Sequence, residues 1–381
     1  MTTADTRLRP VRVDVHVLRH PIAVPVRTSF GVMHDRPALL LRVHDADGAH
    51  GWGEVWCNFP ACGAEHRARL VQTVLEPLLC GAAFDDPPTA FERLTQATAV
   101  LAIQSGEHGP LAQAIAGIDL ALWDLVARRA GLPLWRLLAG TGGACDEIGV
   151  YASGINPDGP EAVVARARSE GHRAFKLKVG FGTERDLANL RAVRAEAGAD
   201  APLMVDANQA WGLDTACAVL PRLAEFDLGW IEEPLRADRP WAEWQALAAV
   251  SPAPLAAGEN VAGSERFDAL LDAGAVAVVQ PDIAKWGGIS GTRPVIGRVR
   301  ARGRRHCPHY LGGGIGLLHS AHLLAATGGD GLLEIDANPN PLRSDLCGPL
   351  AALHEGRARL SDAPGIGVEP DPGWLRAFAR S

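Results

Sequence analysis

Seven charged residues recur at one phase of the chain: Lys178, Asp206, Glu232, Glu259, Asp282, His309 and Glu334 each sit near the end of a short β-rich run, at spacings of 28, 26, 27, 23, 27 and 25 positions. Three of them, Asp206, Glu232 and Glu259, are consecutive carboxylates in this series. Brought together, they repel one another unless a cation lies among them. A few oxygen ligands suit Mg²⁺, which keeps positions open for water or a chelating substrate. Zinc fits less well, because no His lies near these positions and the run VYASGIN lacks a His-x-His pair. The bland alternative is a structural bridge from each carboxylate to a nearby Lys or Arg, which is harder to sustain for three in series.

Next to the carboxylates, AFKLKVG places Lys176 and Lys178 two apart, and therefore on one face of a strand. Like-charge repulsion and partial desolvation lower the proton affinity of such a pair, so one of the two is expected to be a neutral base near pH 7. Asp282 precedes His309 by one repeat, and a carboxylate on one imidazole nitrogen fixes the tautomer and raises the basicity of the other. Glu334 either donates a hydrogen bond from a protonated carboxyl or braces the lysines. A cation and a lysine pair on one side, with a His–Asp dyad opposite, suit removal of the proton next to a carboxylate and stabilisation of the resulting enolate.

The repeat that positions these groups is one βα unit long. IGVYAS, RAFKLKVG, PLMVDANQ, LGWIEEP, PLAAGEN, AVAVVQPD, RHCPHY and GLLEIDAN make eight such runs, the number that closes a parallel barrel whose C-terminal strand ends share one mouth. Residues 11–56 read differently, as alternating strands with a hairpin at D-A-D-G. From about 65 to 140 the pattern is helical, with Leu111, Ile115, Ile118, Leu122 and Leu125 on one stripe and Gly131 as a stop. The first ten residues are polar and are expected to fray. The net charge of −7, without a long basic run, argues against nucleic acid or an anionic membrane as partner. No stretch of 18 apolar residues runs without charge, and the seven cysteines form no CxxC pair. A soluble protein of the reducing cytoplasm is expected.

Taken in order, K-x-K in FKLKVG, VDANQ, WIEEP, GEN, PDIAKWGG, the His of CPHY, SAHLLAA and LEID, preceded by GIDLALWDL and PLWRLL, resemble the enolase superfamily and, within it, the mandelate racemase subgroup. The resemblance spans nearly the whole chain. It implies an α/β fold: a modified (β/α)₇β barrel over 141–349 beneath an α+β cap formed by 1–140 and completed by a tail of about 350–381. It also implies Mg²⁺ on Asp206, Glu232 and Glu259, and Lys178 and His309 as acid and base on opposite faces, with Asp282 supporting His309. Lys176 and Glu334 would contact the substrate carboxylate and Asn208 an α-hydroxyl. In the muconate-cycloisomerase branch a Lys replaces Asp282, so the Asp points to racemases and acid-sugar dehydratases. Two cap loops, 27–36 and 54–63, would set specificity through Phe30, His34, Trp56 and Asn58.

The leading expectation is dehydration of an acid sugar to a 2-keto-3-deoxy acid, with a small carboxylate as substrate and a homo-oligomer as the assembly. Racemisation or epimerisation of an α-hydroxy or related acid needs the same residues. A silent binding or structural protein on this fold would show a gap among them, and the sequence shows none.

Overall fold

A computed structural model describes residues 6–29, 31–140 and 145–379. Three strands, β1 (Pro10–Arg27), β2 (Val32–Asp45) and β3 (His50–Val55), form an antiparallel sheet in the order β1-β2-β3. The D-A-D-G turn joins β2 to β3, with Gly48 at φ +88°. The helix His108–Arg129 lies across β3 at a distance only glycine permits: a Cβ on Gly51 or Gly53 would come within 2.1 Å of the carbonyl oxygen of Ala121 or Gly117. This helix has the length and apolar content of a membrane span, yet 83% of its most apolar window is buried inside the protein, as befits a core helix. The chain start is less frayed than its polarity suggests. Leu8 is buried and exchanges backbone hydrogen bonds with Phe84, and β1 begins at Pro10; residues 1–5 lie outside the described residues.

Eight parallel strands follow: β4 (Glu147–Ile155), β5 (Phe175–Lys178), β6 (Leu203–Asp206), β7 (Ile231–Glu232), β8 (Leu255–Ala257), β9 (Val278–Val279), β10 (Arg305–His306) and β11 (Leu332–Asp336). Their spatial order, β10-β9-β8-β7-β6-β5-β4-β11, with helical segments in all seven connections, is a nearly closed (β/α)₇β barrel. Alternation along β5 shows how sequence becomes layer. Phe175 and Leu177 pack outward with the helices, while Lys176 and Lys178 point inward. Beneath the lysines the barrel floor is apolar, built from Tyr151, Met204, Trp230, Val278 and Cys307, with Tyr151 and Trp230 edge to face at 5.3 Å.

The tail returns to both parts. β12 (Arg357–Arg359) pairs antiparallel with the start of β4, Gly365 bridges Pro133, and Ala379 bridges Leu18 of β1. Buried Asp124 secures this return by accepting the N–H groups of Trp52 and Ile366 and the Arg128 guanidinium at 2.7–2.8 Å. All seven cysteines are free.

Candidate active site

Lys178, Asp206 and Glu232 are the last residues of β5, β6 and β7, and the ladder sets Lys178 beside Asp206 and Asp206 beside Glu232. The other four depart from strict strand ends. Glu259 lies two residues beyond β8, Asp282 and His309 lie three beyond β9 and β10, and Glu334 lies two residues inside the end of β11. All seven are nonetheless drawn into the mouth and buried.

Ion pairs connect them. Lys176 Nζ reaches both oxygens of Glu232 at 2.8 and 2.7 Å and Glu334 Oε1 at 2.8 Å, and Lys178 Nζ lies 2.6 Å from Asp206 Oδ2. Across the mouth, His309 Nδ1 lies 2.7 Å from Asp282 Oδ2, and its Nε2 contacts Glu259. Asp282 is itself fixed by the N–H groups of Ala284 and Lys285 at 2.8 and 3.1 Å.

These contacts set the proton affinities of the mouth. Burial would strip Lys176 of its proton, but Glu232 and Glu334 outweigh it, and its pKa stands well above the ordinary lysine value. Burial also opposes the charge on Lys178, and Asp206 overcomes that to raise its pKa. Carboxylates at hydrogen-bond distance thus favour the charged form of both lysines, against the like-charge repulsion expected to leave one of them neutral. Glu334 is the brace, not a protonated donor: against the cost of burial, Lys176 and His309 lower it to about 2. Burial likewise opposes the imidazolium of His309, yet Glu259 and Glu334 hold its pKa well above the usual value.

Several participants were not singled out from sequence. Asn260 donates to both oxygens of Glu233 at 2.9 Å and to Glu259 at 2.8 Å, while Lys285 reaches Asn260 Oδ1 at 3.0 Å and Glu259 at 3.5 Å. Gln280 and the Trp230 indole donate to Glu232, and Ser153 donates to Glu334. Lys285 falls inside PDIAKWGG and Asn260 directly follows Glu259, so position was their only signal.

Magnesium suits this donor set. The connected mouth carries six carboxylates (Asp206, Glu232, Glu233, Glu259, Asp282 and Glu334) against Lys176, Lys178, Lys285 and His309. Carboxylates outnumber the cationic groups six to four, and burial raises the proton affinity of Glu232 and Glu233, as expected where a divalent ion would supply the missing positive charge. Asp206, Glu232 and Glu259 are the oxygen ligands available on successive strands. Among the described residues no three His, Cys, Asp or Glu side chains already stand in ion-holding geometry; lysines and His309 occupy their oxygens instead.

The cap-loop expectations divide. Ser29 Oγ donates to the Asn208 carbonyl at 2.6 Å, bringing the β1–β2 hairpin over the metal side of the mouth. Asn208, at φ +44°, turns its amide onto Asp206 at 3.1 Å and so braces a carboxylate in this state. His34 is exposed, next to buried Met33 and therefore on the opposite face of β2. Phe30 lies outside the described residues. Trp56 lies under Lys285, its ring centroid 4.9 Å from Nζ, and Asn58 donates to the Leu311 carbonyl at 2.5 Å. Both hold the cap to the barrel.

The chain matches the mandelate racemase / muconate lactonizing enzyme N-terminal domain over residues 12–139 and the enolase C-terminal domain-like family over 161–374. A mandelate racemase/muconate lactonizing enzyme from Bordetella bronchiseptica RB50 superposes with a TM-score of 0.92 at 60% identity, covering 98% of this chain and 100% of that one. The L-talarate/galactarate dehydratase of Salmonella typhimurium LT2, liganded with Mg and L-lyxarohydroxamate, gives 0.84 at 30% identity over 100% and 95% of the two chains. The D-galactarolactone cycloisomerase of Agrobacterium fabrum is 31% identical over 96% of this chain and 97% of its own length.

Proposed function

The chain belongs to the enolase superfamily, in its mandelate racemase subgroup, and on that premise we propose that it dehydrates an acid sugar to a 2-keto-3-deoxy acid. The observation that carries the reading is the arrangement of two proton handlers around one mouth: Lys178 on β5, and His309 beyond β10 with its Nδ1 tied to Asp282 at 2.7 Å. Lys178 Nζ, once it has given up the proton that Asp206 stabilises on it, takes the proton from the carbon next to the substrate carboxylate. The enolate expels the β-hydroxyl, which leaves as water with the proton from His309 Nε2, and the resulting enol tautomerises, losing its hydroxyl proton as the β-carbon gains one, to give the 2-keto acid. Asp282 holds the imidazole in the tautomer and orientation this transfer needs. Lys176, set between Glu232 and Glu334, supplies fixed positive charge beside the developing oxyanion. Bound through Asp206, Glu232 and Glu259, Mg²⁺ would supply Lewis-acid stabilisation of the enolate oxygens.

A hydroxylated substrate is supported by the similarity to the L-talarate/galactarate dehydratase.

The test is Mg²⁺-loaded enzyme in D₂O with mono- and diacid sugars, mandelate-like α-hydroxy acids and N-acyl amino acids, followed by proton NMR and a 2-keto acid assay. A 2-keto acid is expected. Deuterium at the α-carbon without keto acid would reassign the enzyme as a racemase or epimerase, and no exchange with any acid would leave a silent binding protein.

A further inference from the structure

Glu54 is a buried carboxylate, 2% exposed, that the proton-transfer scheme does not use. It sits at the penultimate position of β3 in the cap, yet all its hydrogen-bond donors belong to the barrel. The N–H groups of Gly313 and Gly316 donate to Oε1 and Oε2 at 2.5 and 2.8 Å, and the Tyr310 hydroxyl donates as well. These donors follow His309 directly and open the helix Gly314–Thr327.

The local sequence is shaped around this carboxylate. A Cβ on Gly313 would come within 2.8 Å of Glu54 Oε1, and one on Gly316 within 2.2 Å of the Tyr310 hydroxyl. The G-G-G-I-G run therefore keeps room for a cap side chain and the phenol that meets it. Two further residues of the same cap segment, spaced by two, reach the same half of the mouth. Trp56 N–H donates to the Ala284 carbonyl at 3.4 Å, just past Asp282, and Asn58 donates to Leu311, just past His309.

We propose that Glu54 is a positioning residue for the acid step: it fastens the 309–316 segment to the cap, so that His309 stands in line with Asp282 only when cap and barrel are docked. Tyr310 carries this in two directions, its hydroxyl to Glu54 and its N–H to Glu334 Oε2 at 3.1 Å. On the other half of the mouth Lys176 and Lys178 stand on β5 itself, and the cap reaches that half through Ser29, which donates to the carbonyl of Asn208 and not to a segment that carries a lysine. The inference rests on His309 being the acid of the proposed dehydration.

The test compares wild type, Glu54→Gln and His309→Asn, all Mg²⁺-loaded. Amide hydrogen exchange followed by mass spectrometry is expected to show residues 307–316 of Glu54→Gln opening roughly tenfold faster, with 174–180 unchanged. On a dehydrated substrate in D₂O, elimination is expected to fall roughly 10- to 100-fold in kcat while KM and α-deuterium exchange stay within about twofold, because a small misplacement of one catalytic group costs that much. Unchanged exchange at 307–316, or equal acceleration everywhere, would overturn the proposal. So would a parallel loss of α-exchange and elimination. His309→Asn separates the two readings: if it still dehydrates at the wild-type rate, the role given to His309 is wrong, and the amide-exchange result still decides whether Glu54 fixes the segment.

Discussion

The two halves of the barrel mouth are built on different principles. On the lysine side, Lys176, Lys178, Asp206 and Glu232 belong to strands, and the backbone ladder sets their spacing. On the acid side, β9 and β10 are two residues long, and Asp282 and His309 lie beyond them on segments held by Glu54, Trp56 and Asn58 of the cap. The first half is fixed by secondary structure and the second by tertiary docking. The base and the carboxylates around it thus stand on the rigid half, whereas the acid stands where docking of the cap can adjust it.

The sharpest way to break this comparison is to remove one proton handler from each half. Lys178→Ala should lower both elimination and α-deuterium exchange by roughly 10²–10⁴-fold, the usual share of a general base, whereas His309→Asn should lower elimination by a similar factor and spare exchange. NMR in D₂O reads both rates in one sample. Equal loss of exchange in the two variants would erase the division of labour.

Stability should separate the halves next. Lys176→Met leaves Glu232 and Glu334 buried without their shared cation, at a cost of about 3–5 kcal/mol in urea unfolding. Mg²⁺ at about 100 times its Kd should return about 2.7 kcal/mol if Glu232 is a ligand. Failure of Mg²⁺ to shift the urea midpoint would remove Glu232 from the metal set.

Acid should then loosen the halves unequally. Burial holds His306 and His322 at about 3 and His172 at about 4. Because these pKa values are depressed, the unfolded chain takes up protons first as pH falls below about 6.5. The stability present above that pH is lost on the way down, by about 2 kcal/mol per residue at pH 5. His306 in β10 and His322 in the Gly314–Thr327 helix lie on the acid side, so amide exchange there should rise first. Neither ring nitrogen of buried His306 has a hydrogen-bond partner among the described residues, and His306→Leu should remove about 2 kcal/mol of the pH dependence. The smallest effect is expected from Ser29→Ala, which removes one hydrogen bond from hairpin to lysine side, worth about 1 kcal/mol. It should raise KM about fivefold and leave kcat alone.

The barrel was legible because charged residues mark seven of eight apolar runs at nearly constant spacing, and that phase survives even where a strand is only two residues long. What spacing could not convey was which partner stands nearest each charge. Two lysines read in isolation repel, but the fold places Asp206 on one and Glu232 and Glu334 on the other, reversing the expected direction of their proton affinities. Glu54 fell within a segment read as a specificity loop. Its meaning depends on glycines more than 250 positions away, a contact between local patterns that neither pattern contains. His34 is exposed because side chains alternate along β2 and Met33 takes the buried face.

The returning tail bears on the order in which the molecule can be made. β12, Gly365 and Ala379 are among the last described residues, and they complete contacts with β4, with the segment after the His108 helix and with β1. During synthesis the first strand of the cap and the first strand of the barrel must wait for residues 357–379 before these contacts can form. Such long-range closure slows folding, and until those residues emerge the cap sheet and the barrel entrance remain incompletely joined.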